Sequence, residues 1–184
     1  MFSELWNAIK EILCPAPAKP YMPPYPIFNT YAHRDANRKA FLTMLAWSEG
    51  TLNIPNSDNG YRALIGGTTF DSYAFHPHKL VWIRRINQYS DAAGRYQIMY
   101  RDWTPYIEKL GLKDFSPQYQ DAWALNAFRE INALDDIDAG RFSQAVAKAG
   151  NRWASLPGSK FGQTIRSFAE VKDAYSKAGG QFAA

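Results

Sequence analysis

The sequence predicts a mostly helical α+β domain with a small β lobe near its start. Two observations carry that expectation. Apolar residues recur at helical spacing in several stretches, most of them followed by a glycine able to stop a helix. Between the first two domain stretches, residues 51–98 change character: Gly, Asn, Asp and Tyr punctuate short β-like runs. The composition can support such a core, with 46% hydrophobic and 21% charged residues among 184. That balance excludes a largely disordered chain. No run approaches the roughly 18 apolar residues of a membrane span.

In chain order, Phe2, Leu5, Trp6, Ile9, Ile12 and Leu13 stand at helical spacing and predict a short amphipathic helix over 2–13. Six of the 11 prolines follow between Pro15 and Pro26, so Cys14 to Ile27 reads as an extended spacer. This tail, residues 1–30, differs from a secretory signal: Glu4 and Glu11 interrupt it and no basic stretch precedes its apolar residues. It either docks on its own domain or serves a membrane surface or a virion or other protein partner. The domain is placed at 31–184. Its first helix runs from about Asp35, with the stripe Ala40, Phe41, Met44, Leu45 and Trp47 ending at Gly50. Tyr61–Ile65 is the clearest β-like run, with Gly66-Gly67 as a turn. Helices are then expected at Arg101–Leu110, from Ser116-Pro117 to about Ile131, at 135–139 and 141–149, and from Gln163 to Ala178.

The net charge of +4 lies wholly outside the tail, where Lys10 and Lys19 balance Glu4 and Glu11. Such an excess suits an anionic polymer without singling out nucleic acid, and no nucleic-acid partner is expected. Lys79, Arg84, Arg85 and Arg95 read as a solvated basic edge. A single cysteine, Cys14, excludes an internal disulfide framework and a cysteine-rich zinc module. His76 and His78 lack a clear third ligand and make a poor metal site, so no metal or cofactor is expected. Six Trp and 11 Tyr belong either to an aromatic core or to a groove of flat faces suited to sugars.

Glu49 is the candidate for chemistry. It sits at the end of the first domain helix in Ala46-Trp47-Ser48-Glu49-Gly50-Thr51, with apolar side chains before it. The negative helix terminus and aromatic shielding both disfavour a carboxylate there and raise its pKa. A carboxyl group still protonated near neutral pH can give its proton to a leaving oxygen. A glutamate before a glycine is also what a solvated helix end looks like.

Ala46–Thr51, Asn59-Gly60-Tyr61 and Gly66-Gly67 resemble the active-site region of the lambda-type phage endolysins. The similarity continues collinearly through His76-Pro77, Ala93-Gly94-Arg95-Tyr96-Gln97, Leu110–Pro117, Gln120-Asp121-Ala122 and Trp153–Gly158, covering roughly residues 35–180. Nothing in that pattern matches residues 1–30. The resemblance implies a lysozyme-like fold and lytic transglycosylation of peptidoglycan glycan strands. Glu49 would act as catalytic acid and then base, and no metal would be needed. It also implies an enzyme made in the host cytoplasm that reaches the wall through a membrane pore. A virion-borne enzyme fits the tail equally, and a monomer is expected.

Gly94-Arg95-Tyr96-Gln97 is similar to the Gly-x-x-Gln element of lytic transglycosylases, which implies that Gln97 holds the sugar. Ser48 and Asn151 are further substrate-side candidates, and Tyr61, Tyr96 and Trp153 have rings that could stack on pyranoses or fill the core. Asp58 follows Glu49 at the nine-residue spacing of the hydrolysing T-even-type phage lysozymes, but Leu64 stands where those enzymes have a threonine. Asn56-Ser57-Asp58-Asn59-Gly60 has the composition of a turn. Asp58 is thus the second carboxylate only of the alternative, a hydrolysing muramidase, and Asp71 is weaker still. A non-catalytic wall-binding or virion structural module is the third reading, which an intact Glu49 does not need. If the tail is only an address or tether, deleting residues 1–30 will leave cleavage of isolated walls intact. A folded truncation without activity would move the domain boundary.

Overall fold

The computed structural model describes residues 32–84, 87–160 and 165–183. The expected tail helix and proline spacer lie outside the described residues. Among the described residues six α-helices form: α1 (Ala32–Ser48), α2 (Tyr100–Leu110), α3 (Pro117–Glu130), α4 (Leu134–Asp138), α5 (Phe142–Ala149) and α6 (Phe168–Lys177). One antiparallel hairpin, β1 (Val81–Ile83) with β2 (Gln88–Ser90), pairs Trp82 opposite Tyr89.

Helix α1 is the axis of the fold. Its Ala40, Phe41, Met44 and Leu45 are buried, and it packs against α4, α6 and α3. Phe41 meets the rings of Phe128 (5.1 Å), Phe142 and Tyr175 edge-on, an arrangement favoured by the ring quadrupoles. Phe182 closes this cluster against Phe142 and Tyr175. The C-terminal segment is also fixed through its backbone: Gln181 N–H donates to Asn37 Oδ1 at 2.7 Å, and Ala183 N–H to the Gly140 carbonyl. The C-terminus is thus wrapped onto both the start of α1 and the α4–α5 turn.

Two expected elements differ. Tyr61–Ile65 is no strand: it makes only single bridges, Ala63 to Thr69 and Leu64 to Ala93. Some of its backbone groups are spent in turns, as in Leu64 N–H to Thr68 O at 2.7 Å and Tyr61 N–H to Asp58 O, and others reach single distant partners, as in Ile65 N–H to Ala92 O at 3.0 Å. The paired strands lie instead at 81–83 and 88–90. The last helix starts at Phe168, five residues later than expected, because Ser167 and Glu170 form a reciprocal capping box. The Ser167-x-x-Glu170 signature is present in the sequence.

Gln120 is one of the buried side chains that join the β lobe to the helices. Gln120, fully buried on α3, accepts Arg95 N–H at 2.9 Å and donates to the carbonyls of Tyr61 (2.9 Å) and Phe115 (2.8 Å). Gly94 permits this contact. Its φ is +75°, and a Cβ there would stand 2.2 Å from Gln120 Oε1. Gly94→Ala should therefore cost at least about 2 kcal/mol by backbone strain and displacement of Gln120. Chemical denaturation will show that loss as a lower midpoint.

Candidate active site

Helix α1 ends at Ser48, yet Glu49 N–H still reaches the Leu45 carbonyl at 2.9 Å. Gly50 then turns the chain at φ +77° into the short 3-10 turn Thr51–Asn53. Glu49 is thus fixed to the helix end by its own amide while its side chain leaves the helix. Its half-buried carboxyl meets a residue far along the chain: Ser155 Oγ donates to Oε1 at 2.6 Å. Ser155 Oγ lies 2.9 Å from Ser48 Oγ, which in turn donates to the Leu45 carbonyl at 2.8 Å. Burial raises the Glu49 pKa to about 7, with the Ser155 hydroxyl pulling the other way. The expected shift is present, and its main cause is desolvation.

Three segments around the end of α1 are tied to one another. The Thr51 hydroxyl lies 2.8 Å from the Arg95 carbonyl and 3.0 Å from the Ala46 carbonyl, linking the Gly94–Gln97 loop to the end of α1. Ala93 and Ile98 exchange both backbone hydrogen bonds across that loop, which closes it tightly. Trp153 Nε1 donates to the Tyr96 carbonyl at 3.3 Å, linking the same loop to the 151–156 segment that carries Ser155. Ser155 itself is clamped, because its carbonyl accepts Arg166 N–H at 2.8 Å. The Arg166 guanidinium covers the Trp47 ring at 4.7 Å.

The candidate residues divide on this frame. Gln97, half-buried, sits at φ +49° with its side-chain amide donating to the Gly94 carbonyl. Ser48 is buried and reaches Glu49 only through Ser155. Tyr61 is half-buried and lines a surface depression with Thr43, Leu52, Asn59 and Arg95. Asn151 is exposed in the turn after α5.

Tyr96, read towards the groove, and Trp153, open between groove and core, are both core residues. Tyr96 is 1% exposed and Trp153 5%, so neither offers a free face to a sugar. Trp153 packs on Phe128 and Trp123. The Tyr96 hydroxyl is drawn inward by Asp121. Arg95 also departs from the expected solvated edge, being 7% exposed. Its guanidinium donates to the Asn59 carbonyl and the Thr43 hydroxyl and covers the Tyr61 ring at 4.9 Å.

Asp58 is a turn residue at φ +52°, and its Oδ2 accepts the Tyr73 hydroxyl at 2.6 Å. Asp71 is exposed, 3.6 Å from Arg62. His76 spends both ring nitrogens on backbone, with Ile98 O at 2.9 Å and His78 N–H at 3.1 Å, and burial lowers its pKa. His78 stacks on Tyr100 and approaches Asp91 at 3.3 Å. These two histidines are structural. Ser155 and Asp121 escaped the residue-by-residue reading. Asp121 is a carboxylate on α3, beside the buried Gln120, accepting the hydroxyls of both Tyr61 and Tyr96. For Ser155 no local signal existed.

The endolysin family model matches residues 39–182. The chain is 46% identical over 145 residues to the endolysin of Escherichia phage lambda, covering 78% of this chain and 91% of that protein. It belongs to the endolysin family. The endolysin of Escherichia phage P2 is 42% identical over 165 residues, covering 84% of this chain and 98% of that one. Bacteriophage lambda lysozyme complexed with a chitohexasaccharide superposes with a TM-score of 0.78 at 42% identity. That match covers 85% of this chain and 99% of the lysozyme. A second structure of the lambda lysozyme gives 0.72 at 40% identity, with the same coverage. This endolysin is accordingly a lysozyme-like, peptidoglycan-degrading enzyme. No helix among its described residues is long and apolar enough to cross a membrane.

Burying Glu49 has a measurable cost. The folded protein keeps this proton up to about pH 7, whereas the unfolded chain loses it near 4.5. The stability linked to this group is therefore complete below about pH 4.5, declines as pH rises to about 7, and is flat beyond. Glu49→Gln removes that dependence and can still accept from Ser155. Its stability advantage over the native endolysin should grow from near zero at pH 4.5 to roughly 3 kcal/mol above pH 7. Denaturation midpoints at three pH values will test this.

Proposed function

We propose that this endolysin cleaves the bond between N-acetylmuramic acid and N-acetylglucosamine by metal-free lytic transglycosylation, leaving a 1,6-anhydro sugar. The observation that carries this reading is one half-buried carboxyl at the end of α1, Glu49, whose pKa burial raises to about 7, while Asp58 has its carboxylate bonded to Tyr73. A hydrolytic pair needs a second carboxylate as nucleophile or as base for water. An intramolecular attack needs only one group that gives a proton and takes one back.

In the first step the neutral Glu49 carboxyl protonates the glycosidic oxygen as its bond to the muramyl anomeric carbon breaks. In the second, the Glu49 carboxylate takes the proton of the muramyl 6-hydroxyl, whose oxygen bonds to that anomeric carbon. Glu49 ends protonated and no water is consumed. Gln97 is proposed to bind the sugar beside Glu49, since an amide both donates to and accepts from hydroxyl and acetamido groups. Tyr61 and Asn151 are proposed to border the cleft. Ser48, Tyr96 and Trp153, far from meeting the substrate, support the loops that do. The substrate class has outside support in the chitohexasaccharide bound by the lambda lysozyme, a relative of this chain. Residues 1–30 are proposed as a tether or address for the enzyme.

Mass analysis of soluble products from purified peptidoglycan, beside Glu49→Gln, tests the mechanism. Sugar ends lacking one water, absent with the variant, are expected. Ends carrying the added water would establish hydrolysis and bring Asp58 into the mechanism, and no product from either protein would end the enzymatic reading. Because the acid must be protonated, turnover should also fall as pH rises through about 7.

A further inference from the structure

The two oxygens of the Glu49 carboxyl are not equivalent. Oε1 carries a hydroxyl partner, Ser155 at 2.6 Å. A serine hydroxyl has one proton. Ser155 gives its proton to Oε1, so the 2.9 Å contact with Ser48 must be donated by Ser48. The Ser48 proton is then shared between Ser155 Oγ and the Leu45 carbonyl, 2.8 Å away. Ser155 thus donates once and accepts once, which fixes the direction of its O–H bond. Its backbone is held as well, by Arg166 N–H on its carbonyl and by the buried Leu156 beside it.

We propose that Ser155 is a positioning residue for the acid/base carboxyl: it holds Oε1 as the accepting oxygen, leaves Oε2 to give up and recover the proton, and is itself oriented by Ser48. The inference rests on the acid/base reading of Glu49 given above. In a neutral carboxyl the oxygen accepting a hydrogen bond is the carbonyl oxygen, so the acidic proton sits on the other. When Oε2 hands its proton to the glycosidic oxygen, charge develops on the carboxylate and the Ser155 bond strengthens. The same bond keeps the carboxylate in place until Oε2 takes the proton of the 6-hydroxyl. One hydroxyl thereby holds the group through both of its protonation states, with no proton passing through the serine.

The test uses the full chain as Ser155→Ala, Ser155→Thr, Ser155→Cys and Ser48→Ala, beside Glu49→Gln. Readouts are kcat and KM on purified glycan strands against pH, and the carbon-13 NMR titration of the Glu49 carboxyl. Ser155→Ala should lower kcat about tenfold or more with KM nearly unchanged. It should also move the Glu49 titration up by about one unit, because a bond favouring the anion is gone. Ser155→Thr, which keeps the hydroxyl, should restore both. Ser48→Ala should shift both in the same direction by less.

A folded Ser155→Ala with native kcat and native titration overturns the proposal. Should the alanine variant fail to fold, Ser155→Cys keeps the size with a weaker donor, and native values from it overturn the proposal equally. If Glu49→Gln retains turnover, the acid/base reading itself fails. If Glu49→Gln is inactive while Ser155→Ala is native, only the role of Ser155 fails.

Discussion

The rest of the structure depends on keeping one carboxyl group out of water while leaving it usable. Burial alone would push the Glu49 pKa higher still and make the carboxyl a weaker acid. A single hydroxyl from Ser155, 2.6 Å away, moderates that effect and leaves the group near pKa 7. The balance requires a residue 106 positions distant to be held within hydrogen-bond reach of the end of α1. Much of the surrounding architecture serves that placement.

The placement is built from short polar links laid over an aromatic core. Thr51, Trp153 Nε1 and the Arg166 amide each connect a pair of segments around Glu49. Individually such bonds contribute about 1 kcal/mol. They hold because the segments beneath them are already fixed by Phe41, Phe128, Phe142, Trp153 and Tyr175, all nearly or fully buried. The Asp121 carboxylate, accepting from Tyr61 and Tyr96, performs the same service under the Gln97 loop. Burial raises the pKa values of Asp121 and Tyr96 together, and that of Tyr61 to about 12, so both phenols stay protonated as donors.

Aromatic residues show where reading the sequence reaches its limit. Tyr61, Tyr96 and Trp153 have equal chemical capacity to stack on a sugar. Tyr96 and Trp153 are core because a carboxylate and a ring cluster lie behind them, which only the three-dimensional arrangement supplies. Arg95 is the parallel case among cations. It stands near other basic residues in the sequence, yet a carbonyl, a hydroxyl and an aromatic face draw it inside. The β lobe shows the same limit in the backbone, since residues 61–65 have strand-like composition but make only turn bonds and isolated bridges. The late start of α6 differs in kind, because the capping box that sets it is local and was there to be read.

The sequence by itself determined the helices, their order, the glycine that frees Glu49 from α1, and the family to which the chain belongs. Those features follow from spacing, capping and turn chemistry within a few residues, and such terms act whatever the rest of the chain does. Only the tertiary structure decided what state Glu49 is in. Its pKa comes from desolvation and from one hydroxyl brought in from Ser155, and neither exists until the chain has folded around α1. Local chemistry marks where a carboxyl stands, whereas long-range packing sets how readily it holds a proton.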